Sequence, residues 1–192
     1  MFIESIKINN GKICNIEYHI ERVNNTLRGN YVFFKDFIST LTFPLNGTYK
    51  LRIVYDYTKI IEHSVTPYSP KIIKSLKLIE CNTIDYNYKY ANRQNLENLY
   101  AKKENADDII IVKNNLLTDS SFSNLLFFDG KEWITPAQPL LKGTCRERLI
   151  KTGIVKIDNI YVNQLSRYKS LMLVNAMLDF DKKRVIDLKN VF

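Results

Sequence analysis

The groups of this sequence that could do chemistry are lysines, carboxylates and hydroxyls, together with backbone amides. With six glycines in all, the chain contains neither GxxxxGK[ST] nor GxGxxG, the loops that bind nucleotide phosphates. It has no GxSxG, and neither His19 nor His63 has an evident serine or cysteine partner. These exclusions favour a reaction in which a bound cofactor supplies the difficult chemistry.

The cysteines and histidines do not predict a metal site. Cys14, Cys81 and Cys145 are widely spaced, and with two histidines they form neither a CxxC pair nor an HExxH sequence. We expect buried or half-buried free thiols in a reducing compartment, and no bound metal.

Lys89 is the lysine whose neighbours best suit a nucleophile. Bonding to a carbonyl group requires the neutral amine, which desolvation and nearby cations favour. Lys89 lies between Tyr88 and Tyr90, with Arg93 four residues further on. The alternative, which holds for most lysines, is a solvent-facing side chain at the start of a helix.

The elements that must position these groups change in character along the chain. The first part alternates like strands around one helix, with a hairpin turn at 9–12. Its strands are predicted at 2–8, 13–16, 49–57, 60–65 and 76–81, and its helix at 18–27, closed by Gly29. The second part has helices predicted at 92–103 and 143–152, and strands at 108–112, 124–128, 133–135, 170–174 and 184–188. The sequence predicts an α+β (mixed α/β) fold with two lobes, 1–82 and 83–192.

Several short stretches carry a resemblance when they are taken together. They are Tyr18–Val23 for HxxR(L/V), Lys89–Arg93 for K-x-x-N-R, 119–127 for acidic-x-x-x-x-N-(L/I)-F-F, Trp133–Pro136 for W/Y-x-T-P, Gly143–Arg146 for G-(I/T)-x-R and Val174–Met177 for C/I-N-A-(L/M). In this order they resemble the motifs of class IV aminotransferases, the fold-type IV pyridoxal phosphate enzymes. The resemblance covers residues 18–177 and implies a D-amino-acid aminotransferase-like fold, with a small N-terminal α/β lobe and a larger β-rich C-terminal lobe.

The resemblance also implies a role for each matching residue. Lys89 would hold pyridoxal 5′-phosphate as an imine, and Arg22 would face the cofactor phosphate. Gly143 would open a helix whose Thr144 and Cys145 amides point at that phosphate, with the helix dipole behind them. Asn175 and Ala176 would supply further amide contacts to the phosphate. Without the resemblance, residue 22 would be a surface helix arginine and residue 143 a plain helix start.

Asp119 departs from the family pattern. It occupies the position where the family has a glutamate that touches the pyridine nitrogen and keeps it protonated. Aspartate is one methylene shorter, so the backbone must approach, a water must intervene, or the withdrawal of electrons by the ring is weakened. A turn-capping aspartate after Thr118 is the alternative.

Substrate recognition is poorly marked in the sequence. Because the substrates of the family carry carboxylates, Arg28, Arg52 and Arg146 are candidate partners, although each is more often a surface charge. Glu4 shares a strand face with apolar residues, which is unusual for a carboxylate, and it aligns loosely with F-E-(T/S) of the family. The sequence assigns no role to Glu4.

The K-x-x-N-R and N-A-M stretches look most like 4-amino-4-deoxychorismate lyase, an enzyme of folate biosynthesis. Lys89 would then act as general base and acid while pyruvate is lost and 4-aminobenzoate remains. The alternative within the family is a branched-chain or D-amino-acid type aminotransferase, which uses the same lysine.

A non-catalytic basic module that binds anions or nucleic acid is the alternative from another class. The net charge is +8, and Tyr86, Tyr88 and Tyr90 alternate with basic residues as stacking platforms would. However, the basic residues are scattered among 20 acidic ones, so no nucleic-acid partner is expected. The absence of a signal peptide or a run of about 20 apolar residues predicts a cytoplasmic protein without a membrane partner. The resemblance implies a homodimer.

Overall fold

The computed structural model describes all 192 residues, which form two compact units of mixed α and β structure. The first unit comprises residues 1–70 and 88–92, and the second comprises 71–87 and 93–192. The chain therefore passes between the units three times, at 70/71, 87/88 and 92/93. The strand at Leu76–Glu80, placed in the first lobe from the sequence, lies in the second unit because it pairs with a strand there.

The first unit is a four-stranded antiparallel sheet with two helices. Its elements are β1 (Phe2–Asn9), β2 (Lys12–Ile13), α1 (Ile16–Leu27), α2 (Val32–Ser39), β3 (Thr48–Tyr55) and β4 (Ile60–Pro67), with strand order β2-β1-β3-β4. The predicted hairpin turn is confirmed, and both Asn10 (φ 48°) and Gly11 (φ 76°) have the positive φ that such a turn requires.

The core of the first unit lies between the sheet and the two helices. Alternate residues of β1 and β3 pack on apolar residues of α1 and α2, and this cluster comprises Phe2, Ile6, Ile8, Val23, Leu27, Phe34, Ile38, Leu51, Ile53 and Tyr55. The sequence did not predict α2. The antiparallel return strand predicted at 13–16 is confirmed in part: β2 pairs with β1 but ends at Ile13, and α1 begins at Ile16, after Asn15 in a left-handed conformation.

The second unit is built on an eight-stranded sheet. Its elements are β5 (Leu76–Glu80), α3 (Gln94–Tyr100), β6 (Asp108–Lys113), β7 (Leu116–Ser120), β8 (Asn124–Phe128), β9 (Trp133–Pro136), α4 (Thr144–Lys151), β10 (Val155–Asp158), β11 (Ser170–Val174) and β12 (Ile186–Asp187). Six strands follow the order β10-β9-β8-β7-β6-β5, while β11 pairs with β8 and β12. The β5–β6 and β9–β10 pairs are parallel.

Strand β8 lies at the centre of the second unit and is buried on both faces. Leu125 and Phe127 pack into one apolar cluster, whereas Leu126 packs with Cys145 and Leu149 of α4 in another. Burial on both faces explains why the strand is apolar throughout instead of alternating. The packing of Leu126 against Cys145 and Leu149 also fixes the position of α4 relative to β8.

The predicted elements of the second unit agree with the structure in part. The strands at 124–128 and 170–174 and the helix after Gly143 are confirmed. The helix at 92–103 is shorter, since a 3₁₀ turn follows Tyr100, and the final strand is limited to Ile186–Asp187 between two 3₁₀ helices. Strands β7 and β10 were not predicted, because β7 ends in polar residues that resemble a loop. None of the helices has the length and apolar character needed to cross a bilayer.

We expect Phe127→Ala to lower the free energy of unfolding by about 3–5 kcal/mol, because the ring is fully buried and its removal leaves a cavity. Phe192→Ala is the control, since that side chain is 59% exposed, and a change within about 0.5 kcal/mol is expected. Urea unfolding measures both changes. Equal effects of the two substitutions would contradict the central position of β8.

Candidate functional site

Lys89 lies beside the first strand of the first unit. Its carbonyl oxygen accepts a hydrogen bond from the amide of Ile3 at 2.9 Å, and Tyr90 forms an antiparallel bridge with Phe2. The amide of Tyr90 donates to the carbonyl oxygen of Tyr88 at 2.9 Å, which makes a γ-turn with Lys89 at its apex. These backbone contacts hold Lys89 against the sheet, and its side chain is half-buried.

The tyrosines next to Lys89 pack against Phe2, although Tyr88 remains 38% exposed. The ring of Phe2 lies 6.1 Å from that of Tyr88 and 5.8 Å from that of Tyr90, so both tyrosines pack within the first unit. Tyr86 is buried in the second unit. This packing does not favour the nucleic-acid module, which needs exposed aromatic faces.

A buried cluster of Glu4, His19 and Arg22 lies between β1 and α1. His19 and Arg22 are three residues apart on α1, so both reach the same side of the helix. Nδ1 of His19 lies 2.6 Å from Oε2 of Glu4. Nε and Nη2 of Arg22 donate to Oε1 and Oε2 of Glu4 at 2.8 and 2.6 Å. The carboxylate that the sequence left without a role is therefore the centre of this cluster.

The cluster contains an ionised carboxylate and a neutral imidazole. Burial by itself raises the pKa of Glu4, but the charge of Arg22 and the contact with His19 outweigh it and lower the pKa to about 2. Burial lowers the pKa of His19, and the contact with Glu4 only partly opposes this. The charge of Lys89 also lowers the pKa of His19, which places Lys89 within electrostatic range of the cluster.

Like Asp108, Asp119 is a buried carboxylate of the second unit. It lies on β7 and is not the turn-capping residue that the sequence allowed. Nδ2 of Asn124 donates to its Oδ1 at 2.7 Å, and the amide of Leu141 donates to its Oδ2 at 2.9 Å. Burial raises the pKa of Asp119 to about 7, although these hydrogen bonds and the charge of Arg146 oppose the shift.

Asn124 connects Asp119 to the start of α4. Its Nδ2 also donates to the carbonyl oxygen of Leu141 at 2.8 Å. A Cβ on Gly143 would lie 2.0 Å from Oδ1 of Asn124, so only glycine fits there. The backbone of Gly143 is extended (φ −74°, ψ 143°), a conformation that any residue can adopt. The close approach of Asn124, and not the backbone conformation, is therefore the reason for glycine at this position.

The N-terminus of α4 has the character of an anion site. The helix begins at Thr144, Gly143 precedes it without a side-chain cap, and the first amides of a helix lack intrahelical acceptors. Burial raises the pKa of Cys145 to about 12, so its thiol stays protonated and only its backbone amide can serve an anion. These features are consistent with the predicted roles of Gly143, Thr144 and Cys145.

The side chain of Asn175 takes part in a local turn. Its Oδ1 accepts from the amides of Met177 and Leu178 at 2.8 and 2.9 Å, and its Nδ2 donates to Oγ of Ser123 at 2.9 Å. The amide of Asn175 donates to the carbonyl oxygen of Leu178. Asn175 therefore shapes the turn that carries Ala176, and a phosphate contact from Ala176 stays a prediction.

The three arginines proposed for substrate binding lie in different surroundings. Arg146 is buried and donates to Oγ1 of Thr135 at 3.2 Å and to the carbonyl oxygen of Pro136 at 2.8 Å, which ties α4 to β9. Arg52 forms a surface ion pair with Glu62, and Arg28 is exposed at the end of α1. The local contacts of Arg146 and Arg52 are structural and do not favour substrate binding.

The pH dependence of folding reports on Glu4. Its pKa falls from a usual 4.5 to about 2 on folding, so its contribution is complete above about pH 4.5 and is lost as the pH falls to about 2. The excess stability of the wild type over Glu4→Gln should therefore shrink by about 3 kcal/mol across this range. Urea unfolding at several pH values measures it. The exposed Glu62→Gln is the control, and a pH-independent difference for Glu4→Gln would contradict an ionised, paired Glu4.

Gly143→Ala should displace the side chain of Asn124 and destabilise the second unit by about 1–3 kcal/mol, because the added Cβ overlaps Oδ1. Asn124→Ala removes the overlapping atom. In the double variant the Gly143→Ala substitution should therefore add less to the destabilisation than it does alone. Denaturant unfolding of the four proteins measures this, and strictly additive effects would contradict the proposed contact.

Comparisons with known proteins identify the family. The family described as amino-transferase class IV matches residues 37–180. A protein of Haemophilus influenzae with no characterised function is 34% identical over 181 residues, which cover 91% of this chain and 96% of the relative.

Two solved structures are similar to this chain. A proposed 4-amino-4-deoxychorismate lyase from Haemophilus somnus has a TM-score of 0.85 and 31% identity, covering 93% of this chain and 97% of its own. A hypothetical aminotransferase from Mycobacterium tuberculosis in its PLP-bound form has a TM-score of 0.72 and 15% identity, covering 99% and 80%, and shows the fold alone. These findings confirm the resemblance and the mixed α/β fold. The chain therefore belongs to the class IV aminotransferase family of enzymes.

Proposed function

We propose that this protein is a pyridoxal phosphate-dependent lyase that converts 4-amino-4-deoxychorismate to 4-aminobenzoate and pyruvate. The observation that carries the proposal is the half-buried Lys89, held at the apex of a γ-turn within electrostatic range of the Glu4–His19–Arg22 cluster. The similar structure from Haemophilus somnus is a proposed enzyme of the same kind. The K-x-x-N-R stretch at Lys89–Arg93 adds to this support.

The groups of the chain suit pyridoxal phosphate, which needs an amine, a partner for the ring nitrogen and a phosphate site. Lys89 supplies the amine, and Asp119 supplies a carboxylate whose two hydrogen bonds leave lone pairs for a further donor. The glycine at position 143 keeps side-chain bulk away from the start of α4. The bound cofactor would withdraw electrons from the α-carbon of the substrate through its ring.

Lys89 carries the proton transfers in this proposal. Lys89 would hold the cofactor through its amine, and when substrate is bound the same amine would remove the proton from the α-carbon. The same amine then returns a proton as pyruvate departs.

In this proposal Asp119 would pair with the protonated ring nitrogen of the cofactor. Its pKa of about 7 leaves a mixture of neutral and ionised carboxyl near neutral pH, and a cationic partner would favour the ionised form. Asn124 and Leu141 hold both carboxylate oxygens, so the shorter side chain has a defined orientation. This arrangement replaces the longer reach of a glutamate with a fixed position on β7.

By the family resemblance, the phosphate would be held by Arg22 and by the amides of Thr144, Cys145 and Ala176. A guanidinium offers planar, bidentate recognition of phosphate, and a helix start offers several backbone donors with a favourable dipole. A cytoplasmic homodimer that makes a folate precursor is part of the proposal and rests on the family resemblance.

A branched-chain or D-amino-acid type aminotransferase is the second candidate. The family match and the fold shared with the Mycobacterium tuberculosis aminotransferase favour it. It would use Lys89 to move the same proton from the α-carbon to the cofactor, so the two reactions share the residues described above. Substrate turnover distinguishes them.

Addition of pyridoxal phosphate should turn the purified protein yellow, and borohydride should then fix the cofactor to the peptide that contains Lys89. Lys89→Ala should stay colourless, whereas the exposed Lys59→Ala should behave like the wild type. Absorbance and peptide mass measure these outcomes, and cofactor fixed at another lysine would contradict the assignment.

The coloured protein should release pyruvate from 4-amino-4-deoxychorismate and show little turnover of branched-chain or D-amino acids with 2-oxoglutarate. Pyruvate is measured by a coupled assay, and Lys89→Ala serves as the inactive control. Rapid transamination without pyruvate release would favour the second candidate.

A further inference from the structure

We propose that Glu4 and His19 are positioning residues that hold Arg22 as a rigid ligand for the cofactor phosphate. The inference rests on the proposed function, in which Arg22 binds that phosphate. Glu4 is fully buried, and it lies on the same strand face as the apolar Phe2, Ile6 and Ile8. A carboxylate in such surroundings requires compensation by its neighbours.

The contact between Glu4 and Arg22 fixes the plane of the guanidinium. Nε and Nη2 each donate to a different carboxylate oxygen, at 2.8 and 2.6 Å, so the pair is bidentate. Because both donors lie on one edge of the guanidinium, Glu4 sets the orientation of the whole group. The arginine side chain is 12% exposed.

His19 completes the contacts of Glu4 without adding charge. Its Nδ1 reaches Oε2, the oxygen that also accepts from Nη2 of Arg22. Because the ionised Glu4 can only accept, the neutral imidazole carries its proton on Nδ1. A cationic histidine would add a like charge beside Arg22, whereas the neutral tautomer adds only a hydrogen bond.

Two different elements hold the cluster, and this makes it rigid. Glu4 is fixed by the β1 ladder, while His19 and Arg22 are fixed by α1, whose Thr26 hydroxyl donates to the carbonyl oxygen of Arg22 at 2.8 Å. An arginine that is ordered before a ligand arrives loses less rotamer entropy on binding. A buried ion pair adds little net stability compared with apolar residues, so orientation of Arg22 is its main physical effect.

The test compares pyridoxal phosphate with pyridoxal, which lacks the phosphate. Both are titrated into the wild type, Glu4→Gln, Arg22→Lys and the surface control Glu62→Gln, and absorbance gives the dissociation constants. Glu4→Gln and Arg22→Lys should each raise the dissociation constant of pyridoxal phosphate by about tenfold or more. The dissociation constant of pyridoxal should stay nearly unchanged. Glu62→Gln should change neither constant. In the double variant, Glu4→Gln should add little to the effect of Arg22→Lys, because both act through one guanidinium.

The possible results separate this inference from the proposed function. A wild type that forms no coloured adduct with either compound overturns the proposed function. The positioning role alone is overturned by a different set of results. In that case the wild type is coloured and Arg22→Lys weakens the binding of pyridoxal phosphate only, but Glu4→Gln weakens the binding of both compounds equally or of neither. Circular dichroism confirms that each variant is folded.

Variants of His19 decide the question if Glu4→Gln does not fold. His19→Asn keeps a side-chain donor near the position of Nδ1, and His19→Leu removes it. His19→Leu should reduce the preference for pyridoxal phosphate over pyridoxal, and His19→Asn should restore most of it. Equal preferences in the two variants would overturn the role of His19 and Glu4.

Discussion

The ion pair between Glu4 and Arg22 sets the main constraint on the first unit. An ionised carboxylate with no solvent contact is stable only if its neighbours replace the hydrogen bonds of water, and Arg22 and His19 do so from one face of α1. The helix must therefore pack on β1 in one register. The same register brings the neutral imidazole of His19 into electrostatic range of Lys89.

Asp119 shows what happens to a buried carboxylate that lacks such a cation. Its hydrogen-bond donors are the amide groups of Asn124 and Leu141, and Arg146 is engaged with β9. Its pKa is therefore raised to about 7, while that of Glu4 is lowered to about 2. Two carboxylates of one chain thus have opposite shifts because of their partners, which is how proteins separate the roles of acidic groups.

Arg22 in the first unit and Asp119 in the second are each held in place by neighbouring side chains that need not contact a ligand. Glu4 and His19 orient Arg22, and Asn124 orients Asp119 where only glycine fits at position 143. Held in this way, a reacting group keeps its geometry before the ligand arrives, which is what proximity and preorganisation require. The choice between lyase and aminotransferase depends on contacts with the substrate.

The sequence by itself determined the family, the mixed fold, the apolar strand β8, the helix start at Gly143 and the candidate lysine, because each depends on local pattern or on motifs in a fixed order. It missed α2, β7 and β10, and it extended the return strand to residue 16, where α1 begins in the structure. Only the tertiary structure decided the roles of Glu4, Asn124 and Arg146. Glu4 meets partners 15 and 18 residues away, Asn124 meets partners 5 and 17 residues away, and Arg146 meets partners 10 and 11 residues away. No local pattern records which buried polar groups meet.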